Sequence, residues 1–151
     1  MTVGEFCNRQ VVIARRDEHL GEIARRMRDF HVGTLVVVDE RDGRRIPVGV
    51  ITDRDLVVRV LADRVGAFET LVVGHVMTTE PVTAREGDNL WDVIKKMRSF
   101  GIRRLPVVND QGGLEGILSF DDLIDVITEE LSDLNALVSR EQRREREAKP
   151  S

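Results

Sequence analysis

Two short polar segments carry residue types that could bind the sugar and phosphate of a nucleotide. They are residues 52–55 (TDRD) and 119–122 (SFDD), and each directly follows an apolar stretch typical of a β-strand. Both place a hydroxyl three residues before a carboxylate. A carboxylate can accept hydrogen bonds from both ribose hydroxyls, while a hydroxyl and the free amides of a helix start favour a phosphate. The same spacing is typical of a capping box, which needs no ligand, so both interpretations stay open.

No other set of residues has the types and spacing of a catalytic or metal centre. The sequence contains no evident nucleophile–base pair and no phosphate-binding glycine loop. The three histidines (His19, His31 and His75) and Cys7 form no cluster that would ligate zinc. We therefore expect no catalytic residues, no enzyme activity and no metal site.

The composition limits the class of protein. A length of 151 residues is that of one ordinary domain, and 41% hydrophobic with 33% charged residues is too apolar for a disordered chain. No apolar run approaches the ~18–20 residues that a membrane span needs. The net charge of −4 disfavours nucleic acid as the main partner. The single cysteine and the absence of a secretory signal at the start lead us to expect a cytoplasmic protein.

An internal duplication organises the chain. Residues 26–39 (RMRDFHVGTLVVVD) align with residues 96–109 (KMRSFGIRRLPVVN) at an offset of 70, and residues 49–56 align with 116–123 at an offset of 67. The first copy therefore has three extra residues between the two matches. We expect them in a surface hairpin at 40–45, where an insertion costs little stability.

Each copy is predicted to fold as β-α-β-β-α. In the first copy we expect a strand at 11–13, a helix at 18–30, strands at 35–39 and 48–52, and a closing helix. In the second copy we expect a strand at 81–83, a helix at 89–100, strands at 105–109 and 114–119, and a closing helix. Asp17 and Asp88 are the expected N-caps of the two long helices. One unit alone has too little interior to be stable. We therefore expect an α+β fold in which two repeats pack through their sheets about a pseudo-twofold axis.

The expected boundaries are a first repeat at 3–65, a linker at 66–75, a second repeat at 76–131 and a charged tail at 132–151. Residues 139–147 (SREQRRERE) are nearly all charged, with mixed signs spaced to pair along a helix. This tail is either a solvated helix extension that frays or an arm that contacts a partner or a second subunit.

The chain resembles a tandem pair of cystathionine-β-synthase (CBS) domains, also called a Bateman module. The resemblance rests on the ordered set 49–56 (GVITDRDL), 76–83 (VMTTEPVT), 101–108 (GIRRLPVV) and 116–123 (GILSFDDL), and it covers roughly residues 3–130. It implies pairing of the repeats through their sheets, disc-like dimers, and clefts for adenine nucleotides or S-adenosylmethionine. Modules of this family usually regulate an enzyme, channel or transporter.

The resemblance also implies a set of binding residues. It assigns ribose recognition to Asp55 and Asp122, assisted by Thr52 and Ser119. It places the adenine against Val32 and Gly33 in the Asp122 cleft and against Ile102 and Arg103 in the Asp55 cleft. It also implies backbone contacts to the base from Phe6, Cys7, Val76 and Met77, and phosphate binding by Arg103 and Arg104.

The two implied clefts differ in charge. The counterparts of Arg103 and Arg104 in the first copy are Gly33 and Thr34, which carry no charge. Since a guanidinium can bind a phosphate bidentately, we expect the cleft served by the arginines to take the more phosphorylated ligand.

The sequence thus favours a ligand-sensing regulatory module that binds AMP, ADP, ATP or S-adenosylmethionine. The resemblance implies a homodimer, and because no output domain is recognisable, we expect the module to regulate a partner protein in trans. The alternative is a dimerisation or scaffold module without a ligand, since capping boxes alone explain the hydroxyl–carboxylate pairs.

Overall fold

The computed structural model describes residues 1–63 and 66–148 and contains two small mixed sheets with helices, in agreement with the predicted fold class. The elements are α1 (Val3–Phe6), β1 (Ile13–Ala14), α2 (Leu20–Phe30), β2 (Thr34–Arg41), β3 (Arg44–Thr52), α3 (Asp53–Asp55), which continues as a π-helix (Leu56–Leu61), a 3₁₀ turn (Ala67–Glu69), α4 (Val73–Val76), β4 (Thr78–Thr79), β5 (Ala84–Arg85), α5 (Leu90–Phe100), β6 (Arg104–Val108), β7 (Leu114–Ser119) and α6 (Phe120–Ala148).

The two sheets have related topologies. In the first sheet the order is β1-β2-β3-β4, with β1 parallel to β2 and the other pairs antiparallel. In the second the order is β5-β6-β7, again with a parallel first pair and an antiparallel hairpin. Strand β3 contacts β7, so the hairpins of the two repeats meet.

Strand β2 is buried on both faces, which explains its continuous apolar sequence. Leu35 and Val37 belong to the core beneath α2. Val36 and Val38 alternate with them and are also buried, on the face that β2 turns towards the other repeat. Each repeat therefore has its own helix-covered core, and the space between the repeats is lined by the opposite faces of the sheets.

The segment that precedes each repeat in the sequence packs on the other repeat. This exchange of segments is not evident from their order in the sequence. We call residues 1–8 and 72–79 the lead-in segments. The Val3 amide donates to the Asp88 carbonyl (3.0 Å), and Asn8 pairs with Ile117 through two hydrogen bonds of 2.9 Å. In the same way the Val73 amide donates to the Glu18 carbonyl (2.9 Å). Residues 1–8 therefore complete the second unit, and residues 72–79 complete the first.

The three extra residues of the first copy lengthen its hairpin strands instead of forming a loop. Strands β2 and β3 have 8 and 9 residues, whereas β6 and β7 have 5 and 6. Only Asp42 and Gly43 form the turn, both with positive φ (52° and 76°). Two positive φ values are typical of the type I′ turn, whose twist matches that of the strands and so lets them continue to the tip.

The expected N-caps at Asp17 and Asp88 are wrong. Helix α5 is capped by Asn89, whose Oδ1 accepts from the Trp91 and Asp92 amides at 3.0 and 3.3 Å. Asp88 instead accepts from the Arg85 amide (2.8 Å) in the preceding turn. The N-cap of α2 is His19, which makes no side-chain cap bond. The carboxylates just before these helices, on Glu18 and Asp88, accept from backbone amides of the preceding turn. The type of residue near a helix start is therefore not enough to identify its N-cap.

Glu18 and Arg26 form a partly buried ion pair that ties α2 to the turn before it. Glu18 Oε1 accepts from the Arg15 amide (2.8 Å) and from Arg26 (3.0 Å), and Arg26 also donates to the Ile13 carbonyl (2.9 Å). The hydrogen bond from Arg26 lowers the pKa of Glu18 below its ordinary value, against the opposing effect of burial.

This ion pair predicts a pH-dependent contribution to stability. Because the folded pKa of Glu18 is lowered, its stabilisation is fully present above the unfolded pKa of ~4.3 and is lost as pH falls through the folded pKa. Glu18→Gln should lower the free energy of unfolding by about 1–1.5 kcal/mol at pH 7, because it replaces hydrogen bonds to a charged group, worth about 1.5–3 kcal/mol, by neutral ones worth about 0.5–1.5 kcal/mol. Urea unfolding should show that this loss shrinks towards acid pH. The exposed Glu129→Gln serves as control, and an equal loss at every pH would contradict the assignment.

Candidate functional site

Two clefts lie between the repeats, at pseudo-equivalent positions. The larger, which we call the Asp55 cleft, has a volume of about 320 Å³. It is lined by residues of both repeats: Thr34, Val50, Thr52, Asp55, Thr78, Glu80, Pro81, Val82, Ile102, Arg103, Arg104 and Pro106. A volume of this size lies at the lower end of the range found for small-molecule sites.

The second cleft, the Asp122 cleft, is smaller, with a volume of about 180 Å³. Its lining also comes from both repeats: Asn8, Gln10, Val11, Val12, His31, Val32, Gly33, Thr34, Arg104, Ile117, Ser119 and Asp122. Most of these are the counterparts, in the other repeat, of residues in the Asp55 cleft. Each cleft therefore combines an apolar wall with a hydroxyl–carboxylate pair at a helix start.

Backbone hydrogen bonds fix the strand-to-helix junctions that carry these pairs. The Asp53 amide donates to the Gly33 carbonyl (3.0 Å), and the Phe120 amide donates to the Arg103 carbonyl (2.7 Å). The start of each closing helix is thus held against the segment that follows the long helix of the same repeat. Asp55 and Asp122 are the third residues of the closing helices, and each lines one of the two clefts. Asp55 is half-buried, whereas Asp122 is exposed.

The Asp55 carboxylate is already engaged within its own helix. Thr52 Oγ1 accepts from the Asp55 amide (3.1 Å), and Asp55 Oδ2 accepts from the Thr52 amide (3.0 Å), which completes a capping box. Asp55 Oδ1 also lies 3.7 Å from Arg59 Nε, and the side chain is 17% exposed. The site therefore satisfies the carboxylate without a ligand, although Oδ1 still has accepting capacity.

The Asp122 carboxylate differs because its cap is only half formed. The Asp122 amide donates to Ser119 Oγ (3.1 Å), as in the first repeat. Within residues 1–63 and 66–148, however, the carboxylate itself has no hydrogen bond or ion pair. An unpaired carboxylate with both oxygens open can accept from two neighbouring hydroxyls of a ligand.

Two arginines at the start of β6 share one carboxylate. Arg103 Nη2 lies 3.1 Å from Asp121 Oδ1, and Arg104 Nη2 lies 3.7 Å from Asp121 Oδ2. The Arg103 guanidinium also stands over the Phe120 ring, 5.7 Å from its centroid. Arg104 lines both clefts, as does its counterpart Thr34. Arg104 and Thr34 therefore lie between the two clefts and contribute to the lining of both.

The structure brings together most of the residues expected at the site. Nine of them line one or both clefts: Thr52, Asp55, Ile102, Arg103 and Arg104 in the Asp55 cleft, and Val32, Gly33, Arg104, Ser119 and Asp122 in the Asp122 cleft. The other four do not line either cleft: Phe6, Cys7, Val76 and Met77.

Those four residues lie in the lead-in segments, just before the residues that reach the clefts. Val76 and Met77 are buried in the first core, and Phe6 and Cys7 pack against the second. Asn8 and Gln10 line the Asp122 cleft instead, and Thr78 and Glu80 line the Asp55 cleft. The signal in the sequence is the change from apolar to polar residues along each segment, because the polar ones follow the part that enters the core.

Neither a reactive thiol nor a metal site is evident near the clefts. Burial raises the pKa of the Cys7 thiol above its ordinary value, which disfavours the reactive thiolate. Among the described residues, no group of three or more His, Cys, Asp or Glu side chains is placed to hold a metal ion. No helix in the described part of the chain is long and apolar enough to span a membrane.

Comparison with known protein families shows a match that occurs twice along the chain. The family model of the CBS domain matches residues 3–62 and 73–129. The chain is 36% identical over 126 residues to the protein MK0525 of Methanopyrus kandleri, covering 83% of this chain and 62% of that protein. It is 33% identical over 122 residues to the CBS domain-containing protein YhcV of Bacillus subtilis, covering 81% and 82% of the two chains.

Solved structures share the fold over most of their length. The CBS-pair protein CBSX2 from Arabidopsis thaliana superposes with a TM-score of 0.75 at 27% identity, covering 87% of this chain and 96% of that one. The same protein has been solved in complex with AMP (TM-score 0.71, 28% identity). The CBS domain pair of protein MJ0100, solved with 5′-methylthioadenosine and S-adenosyl-L-methionine, has a TM-score of 0.74 at 24% identity, covering 86% and 98%.

Proposed function

The chain belongs to the CBS domain family and carries two copies of the domain, and from that premise we propose that it is a regulatory module for an adenosine-containing ligand. The observation that carries this proposal is the pair of clefts between the repeats, each with a hydroxyl–carboxylate pair beside an apolar wall. Binding of AMP by CBSX2, a protein of the same fold, supports the ligand class.

The arrangement of each cleft fits the parts of such a ligand. The carboxylates of Asp55 and Asp122 would accept from the ribose hydroxyls, and the apolar walls would cover the adenine. Thr52 and Ser119 would assist at the same helix starts. We propose AMP, ADP or ATP as the ligand, with S-adenosylmethionine as the alternative within the same class, and a cytoplasmic location where such ligands are available.

Regulation would follow from the position of the clefts. Because both repeats contribute to each cleft, a ligand that prefers one relative arrangement of the repeats shifts the population towards it. We propose that this change is read by a separate protein and that the module acts as a homodimer. Exposed apolar side chains on the closing helices support an interface between subunits: Val57, Val58 and Ile124 are 56%, 51% and 46% exposed.

A binding panel tests the proposal against its alternative. The completed capping box at Thr52 and Asp55 favours a dimerisation module without a ligand, because it satisfies these groups internally. A ligand at 100 times its Kd adds about 2.7 kcal/mol of stability, which raises the Tm of a domain of this size by roughly 5–10 °C. We expect such a shift with at least one of AMP, ADP, ATP and S-adenosylmethionine. No shift with any of them at millimolar concentration would favour the scaffold.

The arginine pair predicts a preference for phosphorylated ligands. Arg103→Ala should weaken ATP and ADP binding about 10-fold or more, as expected from the loss of a charge-assisted hydrogen bond to phosphate. Adenosine binding should change little. Asp121→Asn should act in the opposite direction and tighten ATP binding, because Asp121 competes with phosphate for both guanidinium groups.

Isothermal titration calorimetry of adenosine, ADP and ATP measures these effects. Arg98→Ala, an exposed arginine on α5 outside both clefts, makes the same change in net charge and serves as control. The difference between Arg103→Ala and the control should shrink at high salt, since exposed charges are screened. Equal ATP affinities of the wild type and Arg103→Ala would contradict the assignment.

A further inference from the structure

Two residues, Thr34 and Arg104, line both clefts. They are counterparts at the offset of 70 that relates the two copies, and they are the first residues of β2 and β6. The clefts therefore share a boundary to which each repeat contributes one side chain. Thr34 is buried, whereas the side chain of Arg104 is 43% exposed. Of the two shared residues, only Arg104 can bind a phosphate through a positive charge.

The register of the second sheet explains how one side chain can belong to both clefts. Arg104 pairs with Ser119 across β6 and β7. Side chains of directly paired residues point to the same face of a sheet, with Cβ atoms about 4.5–5.5 Å apart. Arg104 therefore leaves its strand beside the hydroxyl of the Asp122 cleft, and it also lines the Asp55 cleft.

The two neighbouring arginines are held differently. Arg103 lines the Asp55 cleft but not the Asp122 cleft, and its Nη2 lies 3.1 Å from Asp121 Oδ1. Arg104 Nη2 lies 3.7 Å from Asp121 Oδ2, which is longer than a hydrogen bond. Within residues 1–63 and 66–148 no other ion pair holds the Arg104 guanidinium. This side chain can therefore turn towards a phosphate in either cleft.

The two clefts depend on Arg104 to different extents. A phosphate in the Asp55 cleft can contact both Arg103 and Arg104. Among the described residues that line the Asp122 cleft, Arg104 is the one arginine or lysine, because Gly33 takes the place of Arg103 there. A phosphate in the Asp122 cleft also lies near the Asp122 carboxylate, and like charges repel unless a cation offsets them. Phosphate binding in this cleft therefore requires Arg104.

We propose that Arg104 limits the module to one phosphorylated adenosine ligand at a time and leaves the Asp122 cleft to a phosphate-free one. A phosphate in the Asp55 cleft takes the guanidinium that a phosphate in the Asp122 cleft needs. The coupling is reciprocal, because two ligands that compete for one contact weaken each other equally. The inference rests on the proposed function, since it requires adenosine ligands in both clefts. Adenosine itself makes no use of Arg104, so it should bind the two clefts independently.

Isothermal titration calorimetry of the full chain with ADP and with adenosine measures this coupling. Asp122→Ala and Asp55→Asn each leave one cleft intact and give its affinity in isolation. In the wild type, the second ADP should bind at least about 10-fold more weakly than it binds the same cleft in isolation, within the range typical of coupled sites. Adenosine should bind both wild-type clefts with the affinities of the isolated clefts.

Arg104→Thr tests whether this residue carries the coupling. The variant has threonine at both shared positions, and the coupling between two ADP molecules should largely disappear, although each binds more weakly. Arg103→Ala removes the same charge from the Asp55 cleft alone and should leave the coupling in place, so it is the matched control.

Three results would overturn the inference while the proposed function stands. They are undiminished ADP coupling in Arg104→Thr, equal coupling for adenosine, and an Asp55→Asn variant that binds no ADP, because Arg104 would then not serve the Asp122 cleft. If the wild type bound neither ADP nor adenosine, the proposed function would be contradicted and the inference with it.

Discussion

The double variant Asp55→Ala/Asp122→Ala is expected to bind adenosine ligands at least about 100-fold more weakly than the wild type. In the proposed complex each carboxylate accepts two hydrogen bonds from the ribose. Loss of two charge-assisted bonds at about 1.5 kcal/mol each removes about 3 kcal/mol from each site, and every 1.4 kcal/mol is tenfold in affinity. Because both clefts lose their carboxylate, the result does not depend on which cleft the ligand prefers.

The single variants then separate the clefts. Asp122→Ala should leave the fold unchanged, because the Asp122 carboxylate has no partner among the described residues. Asp55→Ala also removes half of the capping box at Thr52, so Asp55→Asn, which keeps an acceptor for that amide, is the better probe of binding there. The control Asp63→Ala/Asp125→Ala changes the net charge equally at two exposed positions outside both clefts. Equal binding by the double variant and this control would contradict the role of the carboxylates.

Gly116→Ala is expected to lower the free energy of unfolding by roughly 2–4 kcal/mol. A Cβ at this position would stand 2.7 Å from Cys7 Sγ and 2.8 Å from the Asn8 carbonyl oxygen. The Asn8 carbonyl cannot move away from the new Cβ without breaking the paired hydrogen bonds between Asn8 and Ile117. The expected loss combines overpacking, which typically costs 1–3 kcal/mol, with weakened hydrogen bonds of about 1 kcal/mol each.

The pseudo-equivalent glycine and a matched control sharpen this test. At Gly49 a Cβ would stand 2.6 Å from Met77 Sδ and 2.9 Å from the Thr78 carbonyl oxygen, so Gly49→Ala should destabilise the first unit similarly. Gly87 has nothing within 4 Å of such a Cβ, and Gly87→Ala should be nearly neutral. Urea unfolding of the three variants measures the differences. If Gly116→Ala left the free energy of unfolding unchanged, residues 1–8 could not lie as close to β7 as they do in this structure.

The internal duplication explains how much of the fold was predictable. Because residues 26–39 align with residues 96–109, the sequence predicts each element twice, and both long helices end at Phe30 and Phe100 as expected. The two long helices begin one or two residues later than predicted, at Leu20 and Leu90. The first strand of each repeat also lies later than the predicted 11–13 and 81–83, at Ile13–Ala14 and Ala84–Arg85. The choice among neighbouring polar residues as cap depends on the turn before the helix, which a pattern of apolar residues does not specify.

The candidate site was partly predictable for the same reason. The junctions at 52–55 and 119–122 recur, and both line clefts. The exchange of the lead-in segments depends on contacts between residues that are far apart in the sequence, so the local pattern of neither copy predicts it. It moves Val76 and Met77 into the core and leaves Thr78 at the cleft. The difference between the capping of Asp55 and of Asp122 is likewise a matter of side-chain conformation, since the spacing in the sequence is identical.

A structure of the protein in complex with AMP or ATP tests the central claim most directly. We expect a ligand between the repeats, with its ribose hydroxyls within hydrogen-bond distance, about 2.6–3.2 Å, of the Asp122 or Asp55 carboxylate and its phosphates towards Arg103 and Arg104. A nucleotide bound elsewhere on the molecule, with both carboxylates left as they are in the free protein, would contradict it.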